Sequence, residues 1–186
     1  MKKTKRKLQI GVMGSCSDLK YSKKIEELAE EVGYWIAKSN AALLFGAEKD
    51  IDSLSTAACR GAKKANGLTI GITYGKGKEI VEKNVDIVIP TGMERGGGRE
   101  FVLALSCDAI ITISGGSGTL NEMVVAYQAN IPLVALQGTG GWSENLAGKF
   151  IDSRDRVKVE IAKTPKEAVE LTIKLAKKSS HHNQSF

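Results

Sequence analysis

Histidine is missing from the body of this chain: its two copies, His181 and His182, fall within the last six residues. A Ser-His-Asp triad and a histidine-ligated metal inside the domain are therefore excluded. Cysteine is nearly as scarce. Cys16, Cys59 and Cys107 are odd in number and form no CxxC pair, which argues against a disulfide framework or a zinc knuckle and leads us to expect a reducing, cytoplasmic setting. No apolar run reaches the roughly 18 residues of a membrane span. The basic start Lys2-Lys3-Thr4-Lys5-Arg6-Lys7 leads into a short strand rather than a secretory leader. No Gly-Lys-Ser/Thr completes a Walker loop. Gly11 and Gly14 open a GxGxxG fingerprint that Ser17 does not finish, and no acidic residue ends the second predicted strand. A nicotinamide dehydrogenase is disfavoured on both counts.

What is present begins with charge. Of the net +6, five charges come from Lys2, Lys3, Lys5, Arg6 and Lys7, so residues 8–186 carry only +1. Such an arm can hold phosphates nonspecifically, but a solvated terminus is the commoner outcome. At 186 residues the chain makes one domain with a core of its own. We expect a basic arm over residues 1–7, a folded body over 8–178 and a tail without structure over 179–186.

Along that body, strands alternate with helices. Strands are predicted at Leu8–Met13, Ala42–Phe45, Leu68–Thr73, Asp86–Ile89, residues 108–113, Pro132–Leu136 and Val157–Ile161. Most are uniformly apolar, as in a parallel sheet covered on both faces. Helices are predicted near Tyr21–Ser39, Asp52–Asn66, a short stretch ending at Asn84, Arg99–Ser106, Ser117 to about Asn130, a short one after Trp142, and Thr164 to Lys178. The expected fold class is α/β: a single Rossmann-like, doubly wound, mainly parallel sheet that binds ligands outside the carboxyl ends of its strands.

Four glycine-rich loops follow strands in this pattern, and one is organised for anions. After the apolar run 108–113 come Ser114, Gly115, Gly116, Ser117, Gly118 and Thr119, and then helical spacing through Leu120, Met123, Val124 and Tyr127. A buried strand, a glycine turn and a helix N-terminus aim free N–H groups and the helix dipole at one spot. We expect a phosphate cradle from Gly115, Gly116, Ser117, Gly118 and Thr119, with Gly14 and Ser15 of the first loop beside it. Glu122 lies a turn inside the helix, either as a site carboxylate or on a helix face. Arg99 follows Gly96-Gly97-Gly98, either reaching a phosphate or exposed at the surface. Cys16 reads as a small filler more readily than as a reactive thiol, and Trp142 as a packed ring or one that stacks on a base.

The run Gly115-Gly116-Ser117-Gly118-Thr119-Leu120-Asn121-Glu122 resembles the GGxGTxxE motif of the LONELY GUY proteins, a family also labelled possible lysine decarboxylases. Arg99 stands 23 residues before Glu122, the interval between that family's active-site arginine and its motif glutamate. The resemblance spans about residues 8–150. It implies a Rossmann-like homo-oligomer, dimer or tetramer, with Arg99 and Glu122 catalytic and no metal or redox cofactor. Active members cut the base–ribose bond of nucleoside 5′-monophosphates, releasing ribose 5-phosphate. Ser114 replaces the family's usual proline, Glu100 replaces its lysine or asparagine, and the glycine segment after the second strand shrinks to Gly46-Ala47-Glu48-Lys49-Asp50-Ile51-Asp52. Gly140-Gly141-Trp142 is similar to the branch that contains molybdenum-cofactor carriers. The wider superfamily also includes DNA-processing protein A.

Three readings follow. The first is a phosphoribohydrolase in which Glu122 stabilises positive charge on the sugar. The second is a nonenzymatic carrier or sensor of a phosphorylated ligand such as molybdenum cofactor. The third is a nucleic-acid binder acting through the basic arm. A lysine decarboxylase is set aside, because nothing suggests a pyridoxal-phosphate lysine site. A phosphorylated, nucleotide-like small molecule is the expected partner, without membrane contact.

Overall fold

The computed structural model describes residues 6–95 and 97–182, with residues 180–182 described by backbone alone. Seven strands form one sheet: β1 (Gln9–Gly14), β2 (Ala42–Gly46), β3 (Leu68–Thr73), β4 (Ile87–Pro90), β5 (Ala109–Ile113), β6 (Leu133–Leu136) and β7 (Val159–Ala162). Their order is β4-β3-β2-β1-β5-β6-β7, and every pair is parallel. Residues of β2, β5 and β6 are buried at every position, the signature of strands covered on both faces. This is the Rossmann-like fold that the alternation predicts.

Among the described residues six α-helices cover the sheet: α1 (Lys23–Lys38), α2 (Leu54–Lys64), α3 (Gly98–Leu105), α4 (Ser117–Gln128), α5 (Gly141–Leu146) and α6 (Pro165–His182). Helices α1, α2 and α6 pack on one face, over a core that includes Val12, Leu43, Phe45 and Ile111. On the other face α3 and α4 close over Met13, Leu44, Ile110 and Leu133. Serines start the first two helices. The Ser22 hydroxyl accepts from Ile25 N–H at 3.4 Å, and that of Ser53 from Thr56 N–H at 3.0 Å. At α6 the Thr164 hydroxyl accepts from Glu167 N–H at 3.2 Å, so the predicted Thr-Pro start holds.

Small residues on α2 serve two contacts. Ala57 and Ala58 join the core above the sheet, while Gly61 meets the backbone of α1. A Cβ on Gly61 would lie 1.7 Å from Glu30 O, and one on Gly33 would lie 1.8 Å from Ala58 O. Only glycine lets the two helix backbones come this close.

Two expectations are corrected. The short helix ending at Asn84 is absent, and residues 74–86 form irregular backbone. There Ile80 is buried, Val81 N–H donates to Glu48 O at 2.9 Å, and the Glu82 side chain takes Asn84 N–H at 2.9 Å. Side chain and distant carbonyl claim the groups a helix would have used. The structureless tail expected from Ser179 is also revised, because α6 continues through His182; residues 183–186 lie outside the described residues. The basic arm is described only at Arg6 and Lys7. Arg6 forks onto the Asp108 carboxylate at 2.6 and 2.7 Å, and Lys7 bonds the Asn40 side chain. Among the described residues no helix is long and apolar enough to cross a membrane.

Candidate functional site

The sheet changes winding direction between β1 and β5, which are neighbours in space but not in sequence. Loops leaving their carboxyl ends diverge to opposite faces and open a crevice. A cavity of about 600 Å³ lies there, also bordered by the segment after β2 and the first turns of α3 and α4.

The glycine turn after β5 is held from both sides. Ser114 and Gly115 have φ of +57° and +101°, folding the chain back sharply. Gly115 N–H donates to Ser15 Oγ at 2.8 Å, and that hydroxyl donates to Ser114 Oγ at 3.0 Å. From the other side, Ser114 N–H donates to Thr139 Oγ1 at 2.9 Å, while Trp142 and Ser143 N–H donate to the carbonyls of Gly115 and Ser114 at 3.0 and 2.8 Å. A Cβ on Gly141 would sit 2.6 Å from this turn's backbone. The Gly138–Trp142 loop is thus a brace for the turn. The backbone of Trp142 makes that brace, and its ring does not line the cavity.

Beyond the turn, Gly116 caps α4 without a side chain. The first helical bond runs from Leu120 N–H to Gly116 O at 3.0 Å. The N–H groups of Ser117, Gly118 and Thr119 precede it and have no intrahelical partner. Among the described residues no other group accepts from them, and the first turn of α4 holds no acidic residue. Of the expected cradle residues, Gly14, Ser15, Gly116, Ser117, Gly118 and Thr119 line the cavity. Gly115 does not, since its N–H is committed to Ser15.

Facing this helix end is a wall of charges. Arg99 and Glu122 both line the cavity and are only 6% and 5% exposed. Arg99 Nη1 donates to Glu48 Oε1 at 2.8 Å, and Nη2 to Glu100 Oε1 at 3.3 Å. Its Nε–H is buried with no partner. Burial works against the Arg99 charge, but the glutamates around it, Glu48 foremost, more than restore it. Glu122 is pushed up to about 8, first by burial and then by Glu100 and Glu48, with Arg99 only partly opposing. At neutral pH the protonated carboxyl is therefore the favoured form.

Sequence reasoning did not single out Glu48 and Arg95. Glu48, two residues past the second strand, is buried at 4% exposure. Arg95, half-exposed before the triple glycine, places Nη2 2.9 Å from Glu48 Oε2 and 2.9 Å from Asp50 Oδ1, over the Tyr74 ring. The signals were position alone: one two residues past β2, the other at the mouth of a glycine loop. Cys16 borders the cavity, and its thiol is pushed up to about 11 by burial, Glu48 and Asp18. That is the opposite of an activated nucleophile.

The SLOG cluster4 family model matches residues 7–169. The chain belongs to the SLOG cluster4 family. Among solved structures, the molybdenum cofactor binding protein of Rippkaea orientalis is 32% identical with a TM-score of 0.77, covering 91% of this chain and 98% of that one. The molybdenum cofactor carrier protein of Chlamydomonas reinhardtii is 34% identical with a TM-score of 0.76, over 91% and 98% of the two chains. DNA processing protein A of Streptococcus pneumoniae is 16% identical with a TM-score of 0.62, over 88% and 61%, a likeness of fold alone. The resemblance to the LONELY GUY branch with molybdenum-cofactor carriers therefore holds.

Within this SLOG chain, two departures from the LONELY GUY pattern have visible causes. A proline at 114 is impossible, since its ring holds φ near −65° where Ser114 takes +57°. Glu100 is 1% exposed and lies against the arginine beside it, so it adds negative charge to the site wall. Among the described residues no cluster of His, Cys, Asp or Glu is placed to hold a metal ion.

Proposed function

We propose that this chain seats the phosphate of a small molecule on the N-terminus of α4 and carries that molecule without cleaving it. The observation that carries the reading is the seat: the N–H groups of Ser117, Gly118 and Thr119 lack partners where α4 meets the cavity. Two features favour holding over hydrolysis. Arg99 is already bonded to Glu48 and Glu100, and a protonated Glu122 offers no negative charge to a developing sugar cation. The two molybdenum-cofactor proteins above point to a phosphorylated ring, such as a pterin phosphate, as the cargo.

A second reading has its own support. Arg99 and Glu122 line one cavity as the GGxGTxxE spacing requires, and a neutral Glu122 could donate a proton to a departing base. The test is to incubate the chain with nucleoside 5′-monophosphates and pterin phosphates while following thermal midpoint and ribose 5-phosphate. Carrying predicts a raised midpoint without release. Release that Glu122→Gln abolishes establishes the hydrolase.

The nucleic-acid reading gains nothing from a wall this rich in carboxylates. A homo-oligomer, dimer or tetramer, remains part of the proposal, and Phe101 and Leu105, exposed on α3, are candidates for its contact.

A further inference from the structure

Glu48 touches both arginines of the cavity. Its Oε1 accepts from Arg99 Nη1 at 2.8 Å, and its Oε2 lies 2.9 Å from Arg95 Nη2. The backbone beneath is pinned: Ala47 N–H donates to Ile72 O, and Glu48 O accepts from Val81 N–H, each at 2.9 Å. Gly46 lies directly under the guanidinium, since a Cβ there would be 3.0 Å from Arg99 Nη1. Arg99 rests on bare backbone, held between Glu48 and Glu100. Arg95 is divided between Glu48 and Asp50, where Tyr74 OH also accepts from it at 2.9 Å.

The charges around this wall balance against an anion. Arg95 and Arg99 face the carboxylates of Glu48, Glu100 and Asp50, so a second phosphate arriving here meets guanidinium charge that is already offset, with only Arg99 Nε–H left unpartnered. In a poorly solvated site a single carboxylate outweighs many remote charges. Without Glu48, two cations would face two anions, and Arg99 would lose its shortest bond.

We propose that Glu48 sets the ligand selectivity of this cavity: by neutralising Arg95 and Arg99 together, it leaves the α4 N-terminus as the anion seat and turns away molecules with a second phosphate. The inference rests on the phosphate seat of the carrier reading. It assigns the cavity to singly phosphorylated ligands whose far end is uncharged.

Ribose 5-phosphate and ribose 1,5-bisphosphate probe this, titrated calorimetrically at one ionic strength into wild type, Glu48→Gln, Glu48→Asp and Arg95→Gln. Wild type should prefer the monophosphate. Glu48→Gln should move the affinity ratio toward the bisphosphate by about tenfold or more, the value of one freed charge-assisted bond. Glu48→Asp, which keeps the charge, should stay near the wild-type ratio. Arg95→Gln, at a half-exposed position, should move the ratio the other way. A damaged fold cannot produce gained affinity, so the direction separates selectivity from mere support. A folded Glu48→Gln with the wild-type ratio overturns the inference. If Glu48→Gln does not fold, Arg95→Gln decides, and an unchanged ratio overturns it equally. Wild type that holds neither probe overturns the carrier reading and this inference together, whereas binding with unmoved ratios overturns this inference alone.

Discussion

Gly115 N–H donates to Ser15 Oγ at 2.8 Å, joining loops 100 positions apart in the chain. The bond bridges β1 and β5 where the sheet reverses its winding, so the seat at α4 is built by two halves of the fold together.

Ser15→Ala leaves a buried Gly115 N–H without an acceptor. The expected cost is about 1–3 kcal/mol of stability, with weakened phosphate binding because the turn that aims α4 loosens. Chemical denaturation and a phosphate-ester titration on the same preparation check both effects.

Gly118→Asp separates binding from folding. A Cβ at Gly118 meets nothing within 4 Å, and aspartate suits the first turn of a helix better than glycine does. Stability should hold or rise by a few tenths of a kcal/mol, while phosphate binding disappears as the carboxylate occupies the seat. A variant that still binds a phosphate ester as wild type does places the seat elsewhere.

Glu122 ties stability to pH. Its value is raised from 4.5 unfolded to about 8 folded, so between those limits the folded chain holds more protons than the unfolded one. This contribution is complete below pH 4.5 and is lost as pH rises through about 8. Glu122→Gln should therefore lie near wild type in urea unfolding at mildly acidic pH and become the more stable chain in alkali. An identical decline for both chains across that range would contradict a buried, proton-holding Glu122.

Gly61→Ala should be among the most damaging single substitutions. Its methyl group would lie 1.7 Å from Glu30 O on α1, so one helix must move. A loss above about 3 kcal/mol is expected, read from thermal or denaturant midpoints.

Much of this was legible in the residues. Seven apolar runs marked seven strands, and the glycine turn before Leu120 marked the helix end, because both signals are local. Arg99 and Glu122, singled out by the triple glycine before one and the helix start before the other, do come to one cavity. Glu48 escaped because its role depends on two arginines, one of them 51 positions away. The irregular stretch 74–86 escaped for a related reason: Val81 bonds Glu48 across the fold, and no helical propensity reports that. Ser15 lines the cavity as expected, and its hydroxyl also holds the loop beside it, a bond between residues 100 positions apart that no local pattern shows.

One measurement reaches the central claim most directly: the phosphorus NMR spectrum of a nucleoside 5′-monophosphate mixed with an equimolar amount of wild-type chain and followed over hours. Carrying without cleavage predicts a shifted, broadened ester signal that persists unchanged and returns to its free position with Gly118→Asp. Steady growth of a ribose 5-phosphate signal, absent with Glu122→Gln, would contradict it and make the protein a hydrolase.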